Sequence, residues 1–182
     1  QTCLDSISIK NNKIEIIVID DASNKKLTKN IINLEKNKNN IIFIKNKTNI
    51  GVGNTRNKGI RKARGKFLLF LDSDDKINTS NLVNLLNFLK TEKNDLIYCR
   101  FIKETFPKDN IEILKKLKNS NKASNLKRIA GKIQYLGDDC WPFIVKRKFL
   151  IKNKIFFPKN IRVAEDEYFT TKLLLKMKTY ST

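Results

Sequence analysis

The sequence predicts an α/β domain: a mostly parallel sheet with helices on both faces. Two observations carry this. Apolar, β-branched runs alternate with helical patterns through Ile102, in the order β-α-β-α-β-α-β. The runs KIEIIVI and KFLLFL are almost continuously apolar, as strands buried on both faces must be.

Each element has its own signal. Lys13 to Asp20 is the first strand, closed by two acids. Ser23 or Asp21 caps a helix through Leu27, Ile31, Ile32 and Leu34. Ile41 to Ile44 is the second strand, and Asn49 to Gly53 is a Gly/Asn turn. A helix follows from Asn54 to Ala63, then Gly65, then the third strand from Lys66 to Leu71. Thr79 to Thr91 places Leu82, Leu85, Leu86 and Leu89 on one helical face. Asp95 to Ile102 is the fourth strand.

Beyond Ile102 the pattern weakens. Lys103 to Lys132 reads as an insertion with one helix around Ile111 to Leu117. Order returns from Ile133 to Val145. A short helix spans Lys146 to Lys152, Phe156-Phe157-Pro158 is an apolar stop, and Glu165 to Met177 is an amphipathic helix. The whole of 1–182 reads as one domain, and a chain that opens on Gln1 with Met177 as its only methionine reads as less than a complete translation product.

Composition narrows the chemistry. The 182 residues contain no His, which excludes a Ser-His-Asp triad, a Cys-His pair and a His-ligated zinc. Cys3, Cys99 and Cys140 are too scattered for a disulfide scaffold and fit a reducing compartment. No run approaches the roughly 18 apolar residues of a membrane-spanning helix. The formal charge of +20 is spread along the chain among Asn and Ile. It therefore reads as a lysine-rich surface favouring anionic partners, not as a specific nucleic-acid arm.

The remaining chemistry lies with carboxylates. Asp20-Asp21 ends the first strand and Asp72-Ser73-Asp74-Asp75 ends the third. Parallel strands put both clusters on the carboxyl edge, where open α/β sheets bind ligands. Each cluster can also be a turn or helix cap. Their pairing favours a ligand site in which a divalent cation bridges carboxylates and a diphosphate. Gly51-Val52-Gly53 is no dinucleotide fingerprint, because Arg56 stands where the third glycine belongs. Arg56 either reaches a phosphate or base, or forms a surface ion pair. Glu165-Asp166-Glu167 either caps its helix or supplies a general base. Trp141 either packs in a core or stacks on a sugar.

Together these residues resemble the family 2 glycosyltransferases of GT-A fold. The matching segments are EIIVIDDAS (Glu15 to Ser23), NIGVGNTRNKGIRKARGKFLLFLDSDD (Asn49 to Asp75), CWPFIVKRKFLIKNKIFFPKNI (Cys140 to Ile161) and AEDEYF (Ala164 to Phe169). The resemblance implies a nucleotide-sugar donor, usually a UDP-sugar, Mn2+ or Mg2+, and inverting transfer to an acceptor hydroxyl. It implies that Asp21 contacts uracil, Asp20 supports that loop and Arg56 contacts the nucleotide. Asp72 and Asp74 match the DxD, with Asp75 sharing the metal role. Asp166 matches the catalytic base, with Glu165 beside it and Trp141 on the acceptor side.

By the same resemblance, 1–102 is the nucleotide-sugar half, 103–132 an insertion and 133–182 the acceptor-side half. The implied setting is bacterial surface-glycan synthesis in the cytoplasm, with a glycan or lipid-linked acceptor and peripheral contact at the inner membrane face. Family members open on a strand that precedes the helix at Gln1 to Ile7, and this chain stops directly after the helix of the AEDEYF segment, so the resemblance implies a domain incomplete at both ends. The alternative expectation is therefore a catalytically incomplete fragment that binds nucleotide or glycan weakly without turnover.

Overall fold

A computed structural model describes residues 2–7, 13–24, 40–98, 143–161, 163–177 and 180–181. The predicted helices through Leu27 to Leu34 and Ile111 to Leu117, the rest of the 103–132 insertion, and Trp141 lie outside the described residues. The chain divides into two compact units. One comprises Gln1–Gly65 with Leu71–Lys93, the other Lys66–Phe70 with Asn94–Thr182.

In the first unit, strands β1 (Ile16–Asp20) and β2 (Ile41–Lys45) pair in parallel, from Ile16 opposite Ile41 to Asp20 opposite Lys45. Branched side chains at all four β1 positions before its closing acid suit a pleated, half-buried surface. The register brings the two strand exits level, so the loops after Asp20 and Lys45 emerge together. Helix α1 (Thr2–Ser6) precedes β1 and buries Cys3. Helix α2 (Val52–Lys62) buries Gly53, Asn57 and Ile60, one face at helical spacing, and closes on Arg61 and Lys62, which suit its negative end. Helix α3 (Thr79–Thr91) starts at Asn78, whose side chain accepts from the Asn81 N–H at 3.1 Å. Of its predicted apolar face, Leu82 is buried and Leu85, Leu86 and Leu89 are half-buried.

The second unit is a four-stranded sheet in the order β3-β5-β4-β6. Strands β3 (Phe67–Leu69) and β4 (Leu96–Tyr98) flank β5 (Phe143–Lys146), which runs antiparallel to both, while β6 (Tyr180–Ser181) pairs with β4 in parallel. The β-α alternation could not announce β5, because it arrives after the weakly patterned stretch. Its Phe143, Ile144 and Val145 are all buried, as a central strand requires.

Helix α4 (Arg147–Lys152) follows β5 without a loop. It ends in two capping bonds, Lys154 N–H to Ile151 C=O at 3.2 Å and Ile155 N–H to Leu150 C=O at 2.9 Å. Lys154 takes the left-handed position, φ 52°, usually left to glycine, and Ile155 is fully buried behind it. Helix α5 (Glu165–Lys176) buries Phe169, Thr170, Leu173 and Leu174 along one stripe. Phe157 stacks on Phe169 with centroids 4.1 Å apart, and Phe70 meets both edge-on at 5.5 and 5.7 Å. The predicted apolar stop at Phe156 to Pro158 therefore contributes a core residue. Among the described residues no helix is long and apolar enough to cross a membrane.

Candidate functional site

Six of the predicted residues lie in the first unit: Asp20 and Asp21 at the exit of β1, Arg56 on α2, and Asp72, Asp74 and Asp75 in the loop after β3 that Arg56 reaches. Asp20 is buried and turned to its own loop. Its Oδ1 accepts from the Ser23 N–H at 2.8 Å and its Oδ2 lies 3.5 Å from Lys45 Nζ. Ala22 bends this loop with φ 68°. Asp20 thus shapes the turn that presents Asp21.

Asp21 reaches the entry of α2. Its Oδ1 accepts from Asn46 Nδ2 at 2.8 Å and the Ile50 N–H at 3.0 Å; its Oδ2 accepts from the Gly51 N–H at 2.8 Å. Gly51 enters the helix at φ 85°, which a glycine adopts at little cost. The first turn of α2 has no acid of its own, and Asp21 supplies the negative charge from the neighbouring loop. Burial pushes the Asp21 carboxyl up. The donors at Ile50, Asn46, Gly51 and Thr55 outweigh burial and hold it below the ordinary aspartate value.

Arg56, on α2, places Nη2 2.7 Å from Asp72 Oδ1. The guanidinium is largely sheltered while the Asp72 side chain stays 39% exposed. The loop beyond turns tightly, with the Asp75 N–H donating to the Asp72 carbonyl at 3.2 Å, and leaves Asp74 exposed and Asp75 half-exposed. Helix α1 braces this loop. Cys3 Sγ donates to the Asp72 carbonyl at 3.4 Å, and Ser6 Oγ accepts from the Ile77 N–H at 3.1 Å. Burial, then the charges of Asp75, Asp74 and Asp72, push the Cys3 thiol up, so it stays protonated and marks a locally negative field.

Such a field suits a cation. Among the described residues no three Asp, Glu, Cys or His side chains gather into a metal cage. Mg2+ or Mn2+ arriving with a diphosphate needs only one or two carboxylates. Exposed Asp74 and partly exposed Asp72, both hard oxygen donors, fit that requirement.

Glu165 and Asp166 belong to the second unit, in the first turn of α5. Glu165 is buried and Asp166 half-buried. Ala164 before them is left-handed, φ 62°, an uncommon state for a residue with a Cβ. Sequence reading overlooked Asn46, Thr55 and Lys58 around Asp21, and Cys3 and Ser6 behind the Asp72 loop. Nothing in the string KNKTN separates a buried Asn46 from its exposed neighbours; only the β1/β2 register does.

The sequence profile described as "Glycosyl transferase family 2" matches residues 1–152. The chain is 32% identical over 187 residues to the poly(ribitol-phosphate) beta-glucosyltransferase of Bacillus spizizenii, covering 98% of this chain and 28% of that protein. Its fold matches the crystal structure of Staphylococcus aureus TarS 1-349 in complex with UDP at a TM-score of 0.75 and 26% identity, over 99% of this chain and 52% of that one. A mannosyltransferase from Pyrobaculum calidifontis, in complex with GDP-Man and Mn2+, shares the fold at a TM-score of 0.67 and 15% identity, over 98% of this chain and 48% of that one. The architecture is the GT-A fold. The chain thus spans about a quarter to a half of the length of these relatives.

Proposed function

Because the chain belongs to glycosyl transferase family 2, we propose that it transfers a sugar from a UDP-sugar to a hydroxyl of a poly(ribitol-phosphate)-type surface polymer. The observation that carries the reading is the meeting of the Asp21 loop, the α2 entry and the Arg56–Asp72 pair within one compact unit. The UDP complex of the TarS relative supports the donor, and the name of the Bacillus relative supports the acceptor.

In this reading Asp21, backed by Asp20, contacts the nucleotide base. Arg56 sets the Asp72 carboxylate toward the ribose and diphosphate. Asp74, with Asp72 and Asp75 beside it, would hold a divalent ion, Mn2+ or Mg2+, which would supply positive charge to offset that of the diphosphate. Asp166 takes the proton from the acceptor hydroxyl as that oxygen attacks the anomeric carbon, and the sugar–phosphate bond breaks on the opposite face, which inverts the centre. Glu165 stands beside the base, and Trp141 remains an acceptor-side candidate. The reaction belongs to the cytoplasm, with peripheral contact at the inner membrane face through the lysine-rich surface.

The test is UDP release by the full-length protein from UDP-glucose and UDP-GlcNAc, with poly(ribitol-phosphate) as acceptor. Asp166→Asn is expected to lower kcat by about 100-fold or more while leaving UDP affinity unchanged. Wild-type turnover in that variant contradicts the assignment.

A further inference from the structure

Asn46 follows β2 directly, is 4% exposed, and has no part in the chemistry above. Its main-chain N–H donates to the Asp20 carbonyl at 2.8 Å. Its side-chain Nδ2 donates to Asp21 Oδ1 at 2.8 Å and to Thr55 Oγ1 at 3.2 Å, and its Oδ1 accepts from Lys58 Nζ at 2.6 Å. One buried amide thus joins the loop after β1 to two residues of α2.

We propose that Asn46 is a positioning residue for donor binding, holding the Asp21 carboxylate at the α2 entry and fixing the setting of the helix that carries Arg56. The inference rests on the donor-site reading above. An amide offers two donors and an acceptor on one planar group, and this site uses both kinds. An aspartate here would set its oxygen against the Asp21 carboxylate. An alanine would leave Asp21, Thr55 and Lys58 each short of a buried partner.

Lys58 and Arg56 are two residues apart on α2, so they leave the helix in different directions. Lys58 is held by Asn46 and Arg56 by Asp72. Asp21 grips the helix entry, and Asn46 bonds to Asp21 and, on α2 itself, to Thr55 and Lys58. Releasing it lets the entry turn and the helix rotation relax together. Binding that depends on the relative placing of Asp21 and Arg56 weakens accordingly.

The test uses the full-length protein and compares wild type, Asn46→Ala, Asn46→Asp and Thr55→Val. The readouts are UDP affinity by calorimetry, steady-state KM for donor and for acceptor, kcat, and thermal melting. Asn46→Ala is expected to raise both the UDP Kd and the donor KM about tenfold, with kcat and acceptor KM within about threefold, at a temperature where the variant is fully folded. Asn46→Asp should bind UDP more weakly than Asn46→Ala. A purely structural role lowers the melting temperature and the amount of active enzyme while the UDP Kd stays put, and that pattern overturns the proposal. Should Asn46→Ala fail to fold, Thr55→Val removes the hydroxyl that accepts from the amide and donates to Asp21, at nearly unchanged side-chain volume. It is expected to raise the UDP Kd about threefold, and an unchanged Kd overturns the proposal. UDP binding by wild type with an unaffected Asn46→Ala removes this inference alone. Absence of UDP binding by wild type removes the donor reading and this inference with it.

Discussion

Arg56 Nη2 stands 2.7 Å from Asp72 Oδ1, joining helix α2 to the loop that carries Asp72, Asp74 and Asp75. A fork-shaped guanidinium on a carboxylate sets direction as well as charge. Lysine keeps the charge and loses the fork. Arg56→Lys is therefore expected to raise donor KM about tenfold, and Arg56→Ala at least as much, measured by steady-state kinetics on the full-length protein. Equal KM values for wild type and Arg56→Lys would show that the pair has no part in donor binding.

Asp21 gives a prediction in pH. Its folded value lies below the ordinary one, because its N–H donors outweigh burial. Its contribution to stability is therefore complete above the ordinary aspartate value and disappears as pH falls through the lowered one. Glu15 behaves alike. Burial raises it, but the Arg64 N–H at 2.9 Å and the Arg64 guanidinium at 2.9 Å lower it further. Asp21→Asn, which cannot be an acceptor at both positions, is expected to cost about 1–2 kcal/mol at pH 7 after allowance for its partial exposure. It should also flatten the acid limb of the melting-temperature profile. Identical melts for the two proteins at pH 7 would contradict the clamp.

Ala164 predicts the reverse sign. A left-handed alanine costs about 1–2 kcal/mol, and glycine removes that cost at a smaller entropic penalty. Ala164→Gly is expected to leave the melting temperature unchanged or raise it by a few degrees, and Ala164→Val to lower it. A clear loss of stability in Ala164→Gly would refute strain at this cap.

Much of the fold was legible because it is written locally. The apolar runs at Ile16–Asp20 and Ile41–Lys45, the helical spacing from Thr79, and the acids opening α5 each carry their own signal. The antiparallel setting of β5 was not legible. Strand direction is fixed by the partners on either side, Phe67–Leu69 and Leu96–Tyr98, and a four-residue run contains no record of them. The same division holds at the site. The acids were visible as motifs, whereas Asn46, Lys58 and Ser6 act through contacts between segments far apart in the chain. Arg56 was recognised, but whether it paired with a carboxylate depended on where the loop after β3 returned.

The most direct test of the account is calorimetric titration of UDP into this chain, with and without Mn2+, for wild type and Asp74→Ala. Wild type is expected to bind UDP in a metal-dependent way that Asp74→Ala abolishes while the fold, read by circular dichroism, is retained. UDP binding of equal strength in both proteins, with or without Mn2+, would contradict the donor site placed at the Asp72 to Asp75 loop.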